Sequence, residues 1–179
     1  MSSYQQMLDP GFLEDLPTMA IDDLRARRVQ ATEVEVGLSY VRRLAQGRLD
    51  IVLDESQRRE RGGTERDVSD LVERLPAILG DHVRAPGMGR LPTLMAPGEA
   101  DQAHQDDMER LDAIMDADRL TALPRLDDAE LRVAIEALAD LERDLSARRR
   151  AMFDVIDQLQ GELVRRYKSG EANVETLLS

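Results

Sequence analysis

Two strings of side chains in this sequence have the composition of a ligand site and share one spacing. The first is Glu35, Ser39, Arg42, Gln46 and Asp50. The second, 107 positions later throughout, is Glu142, Ser146, Arg149, Phe153 and Asp157. Arg presents a planar fork that can bond guanine O6 and N7 together, stack on a base or grip phosphate. Asp and Glu can accept from guanine N1–H and N2–H2, while Ser and Gln can bond phosphate, ribose or base edges. Phosphate alone would not need carboxylates, which repel it. The set therefore suits a guanine nucleotide with an accessible base edge. The plainer reading is a solvated helix face with routine Glu–Arg pairs. One spacing repeated in one register, with Ser and Gln among the charges, counts against it.

These residues need long helices to align them. At about 100° per residue, the spacing confines each string to a wedge of about 80°. Leu24, Ala31, Leu38, Ala45 and Val52 recur every seven residues, with Val34 and Val41 at the d positions and Leu44 and Ile51 widening the apolar stripe. Leu131, Leu138, Leu145, Met152 and Leu159 do the same further on, with Ala134, Leu141 and Val155 at d. This pattern predicts long helices over 19–61 and 127–169. Asp22 and Asp23 favour the first start, Asp127 or Asp128 caps the second, and Gly62–Gly63 and Gly170 are the stops. In both helices the motif residues occupy heptad positions e, b, e, b and f. In an antiparallel pair e faces e, so only that arrangement brings both strings to one side. The expected fold is all-α: an antiparallel coiled coil of two long helices with short helices in the connecting segment.

The remaining segments are expected to be subordinate. Residues 1–18, with Asp9-Pro10-Gly11 and Pro17, read as an irregular arm. Residues 64–124 read as short helices over about 64–79 and 103–121 flanking a Pro- and Gly-rich loop over 84–98, and 171–179 as a flexible tail. This gives a single helical domain over 19–170.

Composition narrows the function further. The 179 residues carry 36 acids against 24 bases, a net charge of −12, and only 3% are aromatic, which disfavours a β-sandwich or barrel. The acidic balance argues against direct binding of DNA or an anionic membrane. Absence of cysteine excludes disulfides, thiol catalysis and Cys-zinc sites. No phosphate loop, nucleophile elbow or metalloprotease motif is present, and His82 and His104 read as surface residues in polar sequence. The expectation is a non-enzymatic protein without a metal. No apolar run approaches a membrane span and no signal pattern opens the chain, so the default compartment is the cytoplasm.

The doubled motif, with its surrounding run Leu38-Ser39-Tyr40-Val41-Arg42-Arg43-Leu44 through Gln46-Gly47-Arg48-Leu49-Asp50, closely resembles the RsiG family of cyclic-di-GMP-responsive anti-sigma factors of sporulating actinobacteria. The resemblance covers both long helices and implies an antiparallel coiled coil. It also implies cyclic di-GMP bound on the motif stripes and capture of a WhiG-type sigma factor away from RNA polymerase. Carried across, the nucleotide-binding residues are Glu35, Ser39, Arg42, Gln46 and Asp50, with Glu142, Ser146, Arg149 and Asp157. Phe153 stands where the first copy has Gln46. Phe153 cannot make the Gln hydrogen bond, so unequal halves are expected.

Two copies in one chain make a homodimer unnecessary. Without ligand, the stripe is expected to leave its Arg and carboxylate groups unpaired. Residues 99–140 hold thirteen acids against four Arg, a net −9. That stretch reads either as a surface for a basic region of the sigma factor or as a solubilising face. The competing functional reading is a ligand-free coiled-coil adaptor.

Overall fold

A computed structural model describes residues 3–62, 72, 73, 75, 76, 78 and 102–170. His82, the 84–98 loop, the 171–179 tail and most of the short helix expected over 64–79 lie outside the described residues. Among those described, no strand is present. The helices are α1 (Ser3–Met7), α2 (Gly11–Glu14), α3 (Ile21–Glu60), α4 (Gln102–Met115), α5 (Ala117–Thr121) and α6 (Asp128–Ser169), with a 3-10 turn at Leu123–Arg125 between the last two.

The two long helices begin 107 positions apart, at Ile21 and Asp128, so they are copies in one frame from the first residue. At 1.5 Å per residue each spans about 60 Å. Asp127 starts α6 with a capping box. Its carboxylate accepts from the N–H groups of Ala129 and Glu130, and Glu130 accepts from the Asp127 N–H. Gly170 ends the helix at φ 77, a left-handed conformation that costs glycine nothing. No side-chain cap opens α3; Asp22 and Asp23 complement its N-terminal dipole. Helices this long persist because an apolar stripe is buried. Leu24, Ala31, Val34, Leu38, Val41, Ala45 and Val52 meet Leu131, Ala134, Leu138, Leu141, Leu145, Met152, Val155 and Leu159 in the core.

The pairing is antiparallel. Arg28 reaches Gln160, Arg42 reaches Glu142 and Arg59 reaches Asp128, so α6 numbers fall as α3 numbers rise. Each end of the coil carries a clamp, and the clamps are again 107 positions apart. Glu55 accepts from Arg58 and Arg59, while Arg59 also donates to the carbonyls of Leu123 and Leu126, just before α6. Glu162 accepts from Arg165 and Arg166, while Arg166 also donates to the carbonyls of Leu16 and Met19, just before α3. Thus each helix end grips the backbone entering its partner.

The seam contains polar d positions, and these recruit a third layer. Arg48 donates to Asp112 (2.7 Å) and to the Met115 carbonyl (2.6 Å). Arg148 donates to Asp107 (2.8 Å) and lies 4.7 Å from the Tyr4 ring centre. Leu111 and Met115 complete the buried face of α4.

Three expectations are corrected here. The arm over 1–18 is not irregular: it forms α1 and α2, docked through buried Met7 and Met19. The helix expected over 103–121 is broken at Asp116, whose side chain accepts from the Arg119 N–H and starts α5. His104 is buried, with its Nε2 3.3 Å from the Val34 carbonyl oxygen. That carbonyl can only accept, so the contact requires the proton on Nε2.

His104 fits because α3 has no side chain at Gly37. A Cβ there would lie 1.2 Å from His104 Nε2. Gly37→Ala should therefore expel the ring and cost about 1–2 kcal/mol net, overpacking outweighing Ala's better helix propensity. In a His104→Ala background the same change should be neutral or stabilising. Urea unfolding of the four variants measures this, and equal costs in both backgrounds would refute the contact.

The clamps also set an acid limit. Hydrogen bonds from Arg165 and Arg166 hold the Glu162 carboxyl at about 2. Burial opposes ionisation of Glu55, yet hydrogen bonds from Arg58 and Arg59 outweigh it and lower its pKa. A depressed folded-state pKa gives stability that is present above the unfolded value of about 4.3 and is lost as pH falls through the folded value. The melting temperature should therefore drop between about pH 4.5 and 2. In Glu162→Gln it should start lower and fall less across that window, as read by circular dichroism.

Candidate functional site

The antiparallel register places e positions of α3 opposite e positions of α6, and it joins the two motif copies reciprocally. Arg42 Nη1 donates to Glu142 Oε1 at 3.1 Å, and Arg149 Nε donates to Glu35 Oε1 at 2.9 Å. These are one interaction seen twice, related by a pseudo-two-fold axis across the coil. The serines follow the same symmetry. Ser39 Oγ donates to Glu35 Oε1 at 2.6 Å, and Ser146 Oγ donates to Glu142 Oε1 at 2.8 Å. Arg149 Nε also donates to Ser39 Oγ at 2.7 Å.

Near their outer ends the two copies diverge. Gln46 Oε1 accepts from Arg42 Nη1 at 3.3 Å. In the second copy Phe153 takes that place, and the Arg149 guanidinium lies 4.7 Å from its ring centre. A cation–π contact thus replaces a hydrogen bond. The expected inequality of the halves is present in this form, with Phe153 engaging arginine.

Eight of the ten motif residues therefore form two matching clusters of four: Arg42, Gln46, Glu142 and Ser146 in one, and Arg149, Phe153, Glu35 and Ser39 in the other. Asp50 and Asp157 do not join each other. Asp157 is exposed and lies level with Arg27 of α3, whereas Asp50 is half-buried 23 residues further along. At 1.5 Å per residue, they stand about 34 Å apart along the rod.

The expectation that Arg and carboxylate groups stand unpaired is overturned. Each motif arginine meets the glutamate of the other copy because the facing positions carry opposite charges. The network is only partly shielded: side-chain exposure is 23% for Arg42 and 24% for Glu142, and 36% for Arg149 against 12% for Glu35. Donors nevertheless remain. Arg42 Nε is buried without a hydrogen-bond partner, and the terminal nitrogens of Arg149 take part in neither of its bonds.

The polar stripe also runs one heptad further than the motif. Arg28, at the next e position, donates from Nη1 to Gln160 Oε1 at 2.7 Å. Its place in the seven-residue series Arg28, Glu35, Arg42 is a signal in the sequence that the motif pattern passes over. Among the described residues, no group of three or more His, Cys, Asp or Glu is arranged to hold a metal ion. No helix among them is long and apolar enough to cross a membrane.

A double-mutant cycle tests the reciprocal pairing. Arg42→Ala with Glu142→Ala, and Arg149→Ala with Glu35→Ala, should each show a coupling of about 0.5–1 kcal/mol in unfolding free energy. Arg42→Ala with Glu35→Ala should show almost none. Equal coupling in all three cycles would contradict the register.

In comparison with known proteins, the sequence model of the RsiG-like family matches residues 10–79 and 117–179, which include both long helices and all ten motif positions. No curated protein matches the chain.

Proposed function

The chain belongs to the RsiG-like family, and on that premise we propose that it is an anti-sigma factor. In this reading it binds cyclic di-GMP across both motif stripes and, with the nucleotide bound, holds a WhiG-type sigma factor away from transcription of sporulation genes. The observation that carries this reading is the reciprocal pairing of Arg42 with Glu142 and Arg149 with Glu35, which puts both motif copies on one pseudo-two-fold surface. Cyclic di-GMP has an internal two-fold and two negative charges, so like groups on the ligand meet like groups on the protein.

The residues fit such a ligand in chemistry as well as symmetry. The Nε–H of Arg42 is desolvated and has no hydrogen-bond partner, so it remains a donor to be satisfied. Ser39 and Ser146 are held in place by their glutamates. Paired arginines keep the stripe close to neutral before ligand arrives, so binding exchanges or adds to existing bonds and does not quench bare charges. Asp50 and Asp157 stand too far apart along the rod for one nucleotide molecule to touch both, so in this reading each serves its own end of the stripe. The regulatory role requires no catalytic step.

The sigma factor then meets a composite surface of protein and nucleotide. Linkage requires sigma to tighten nucleotide binding by the same factor by which nucleotide tightens sigma binding. A fall in the second messenger therefore releases the sigma factor. Within the acidic stretch 99–140, Asp106, Glu109, Asp118 and Glu136 are exposed and suit a basic surface on the sigma factor. The protein acts in the cytoplasm in this account.

Sigma co-purification with and without cyclic di-GMP tests the proposal. The unmodified chain should retain the sigma factor only with nucleotide, and Arg42→Ala/Arg149→Ala should lose that dependence while remaining helical. Each arginine should contribute about 1–3 kcal/mol. Undiminished nucleotide-dependent capture by the double variant would sink the site assignment. Absence of thermal stabilisation by cyclic di-GMP would favour a ligand-free coiled-coil adaptor.

A further inference from the structure

The e positions form a ladder between α3 and α6. Its facing pairs, set by the register of Glu35 with Arg149 and Arg42 with Glu142, are Ile21–Leu163, Arg28–Ile156, Glu35–Arg149, Arg42–Glu142 and Leu49–Ile135. The two central rungs exchange under the pseudo-two-fold. The same operation carries Arg28–Ile156 onto Ile135–Leu49. Ile156 and Leu49 are equivalent in kind, and Leu49 and Ile135 pack against the apolar core. Next to the central rungs the symmetry therefore breaks at Arg28, by a charge on one side only; the outermost rungs, Ile21–Leu163 and Ser56–Asp128, differ as well. The hydrogen-bond partner of Arg28 breaks it too, because the mate of Gln160 is Leu53.

This break lies in the half of the site that has Phe153 in place of Gln46. The charges there differ in a second respect. Arg42 and Arg149 each face a carboxylate, so the two central rungs are neutral in sum. Arg28 is held by an uncharged amide at 2.7 Å and half-buried, with its full positive charge retained beside the stripe. A ligand with two negative charges finds no uncompensated cation on the central rungs. It finds one at Arg28.

We propose that Arg28 is a binding residue of the nucleotide site: it takes the anionic phosphodiester at the Phe153 end, so that one of the ligand's two equivalent phosphates gains a charged contact that the other lacks. This rests on the reading of the stripes as a cyclic-di-GMP site. Gln160 holds the guanidinium extended before binding, and Phe153 leaves the neighbouring position without a competing amide.

The test is titration of cyclic di-GMP into the full chain in the presence of a WhiG-type sigma factor, at low and high salt. Variants are Arg28→Ala, Arg28→Gln and Arg28→Lys, with thermal melts reporting folding. Arg28→Ala and Arg28→Gln should weaken nucleotide binding about tenfold or more at low salt, as expected for loss of a charged hydrogen bond. The loss should shrink at high salt as screening weakens the contact in the unmodified chain. Arg28→Lys should keep most of the affinity because it keeps the charge. Unchanged binding by Arg28→Ala alongside normal binding by the unmodified chain overturns this inference alone. So does an equal loss in Arg28→Lys, or a loss independent of salt. Absence of binding by the unmodified chain overturns both this inference and the proposed function.

Discussion

Two heptad helices running in opposite directions bring the e positions of both to one side of their seam, and the chemistry of this molecule depends on that geometry. In a parallel pair, Arg42 and Arg149 would lie on opposite flanks. Here they lie about one heptad apart on one face, each bonded to the glutamate of the other motif copy. The apolar seam supplies the stability, since burying a leucine side chain is worth about 1.5–3 kcal/mol. A half-exposed ion pair contributes well under that. The pairs across the stripe therefore position and neutralise side chains more than they hold the helices together.

Polar residues within the seam have a different role. Arg48 and Arg148 occupy d positions where a leucine would continue the coil, and both reach to α4. An uninterrupted apolar seam would have closed the pair on itself. The charged interruptions open a third face, on which α4 covers Gly37 through His104 and Tyr4 of α1 stacks on Arg148. Among the described residues, one side of the rod is thus left to the motif stripe while the side bearing the polar d positions is built over. The division follows from which heptad positions carry charge.

Much of this was legible in the sequence. Seven-residue recurrence marks both helices to within two residues of their ends, and the motif spacing alone places its residues on one stripe. The reciprocal ion pairs were not legible. Their existence depends on which α6 residue stands level with Arg42, and periodicity does not set a register. His104 was misread because its neighbours Gln102, Gln105 and Asp106 are polar, although its spacing to Asp107, Leu111 and Met115 is that of a buried helix face. Helices α1 and α2 are too short to persist alone, and their stability comes from docking, which local sequence does not report. Glu55-Ser56-Gln57-Arg58-Arg59 and Glu162-Leu163-Val164-Arg165-Arg166 are short charge runs to which the heptad and motif patterns give no role. Only their shared offset of 107 marks them as paired devices.

Those devices bear on the topology of the chain. Arg59 grips the carbonyls that lead into α6, and Arg166 grips the carbonyls that lead into α3. The vertical alignment of the two rods is consequently fixed at both ends by side chains seated on backbone, independently of how many residues join one rod to the next. Insertions or deletions between α3 and α4 can accumulate without sliding one stripe past the other. The spacing of 107 between the copies is then an accident of connector length, while the alignment of Arg42 with Glu142 is a property of the folded pair.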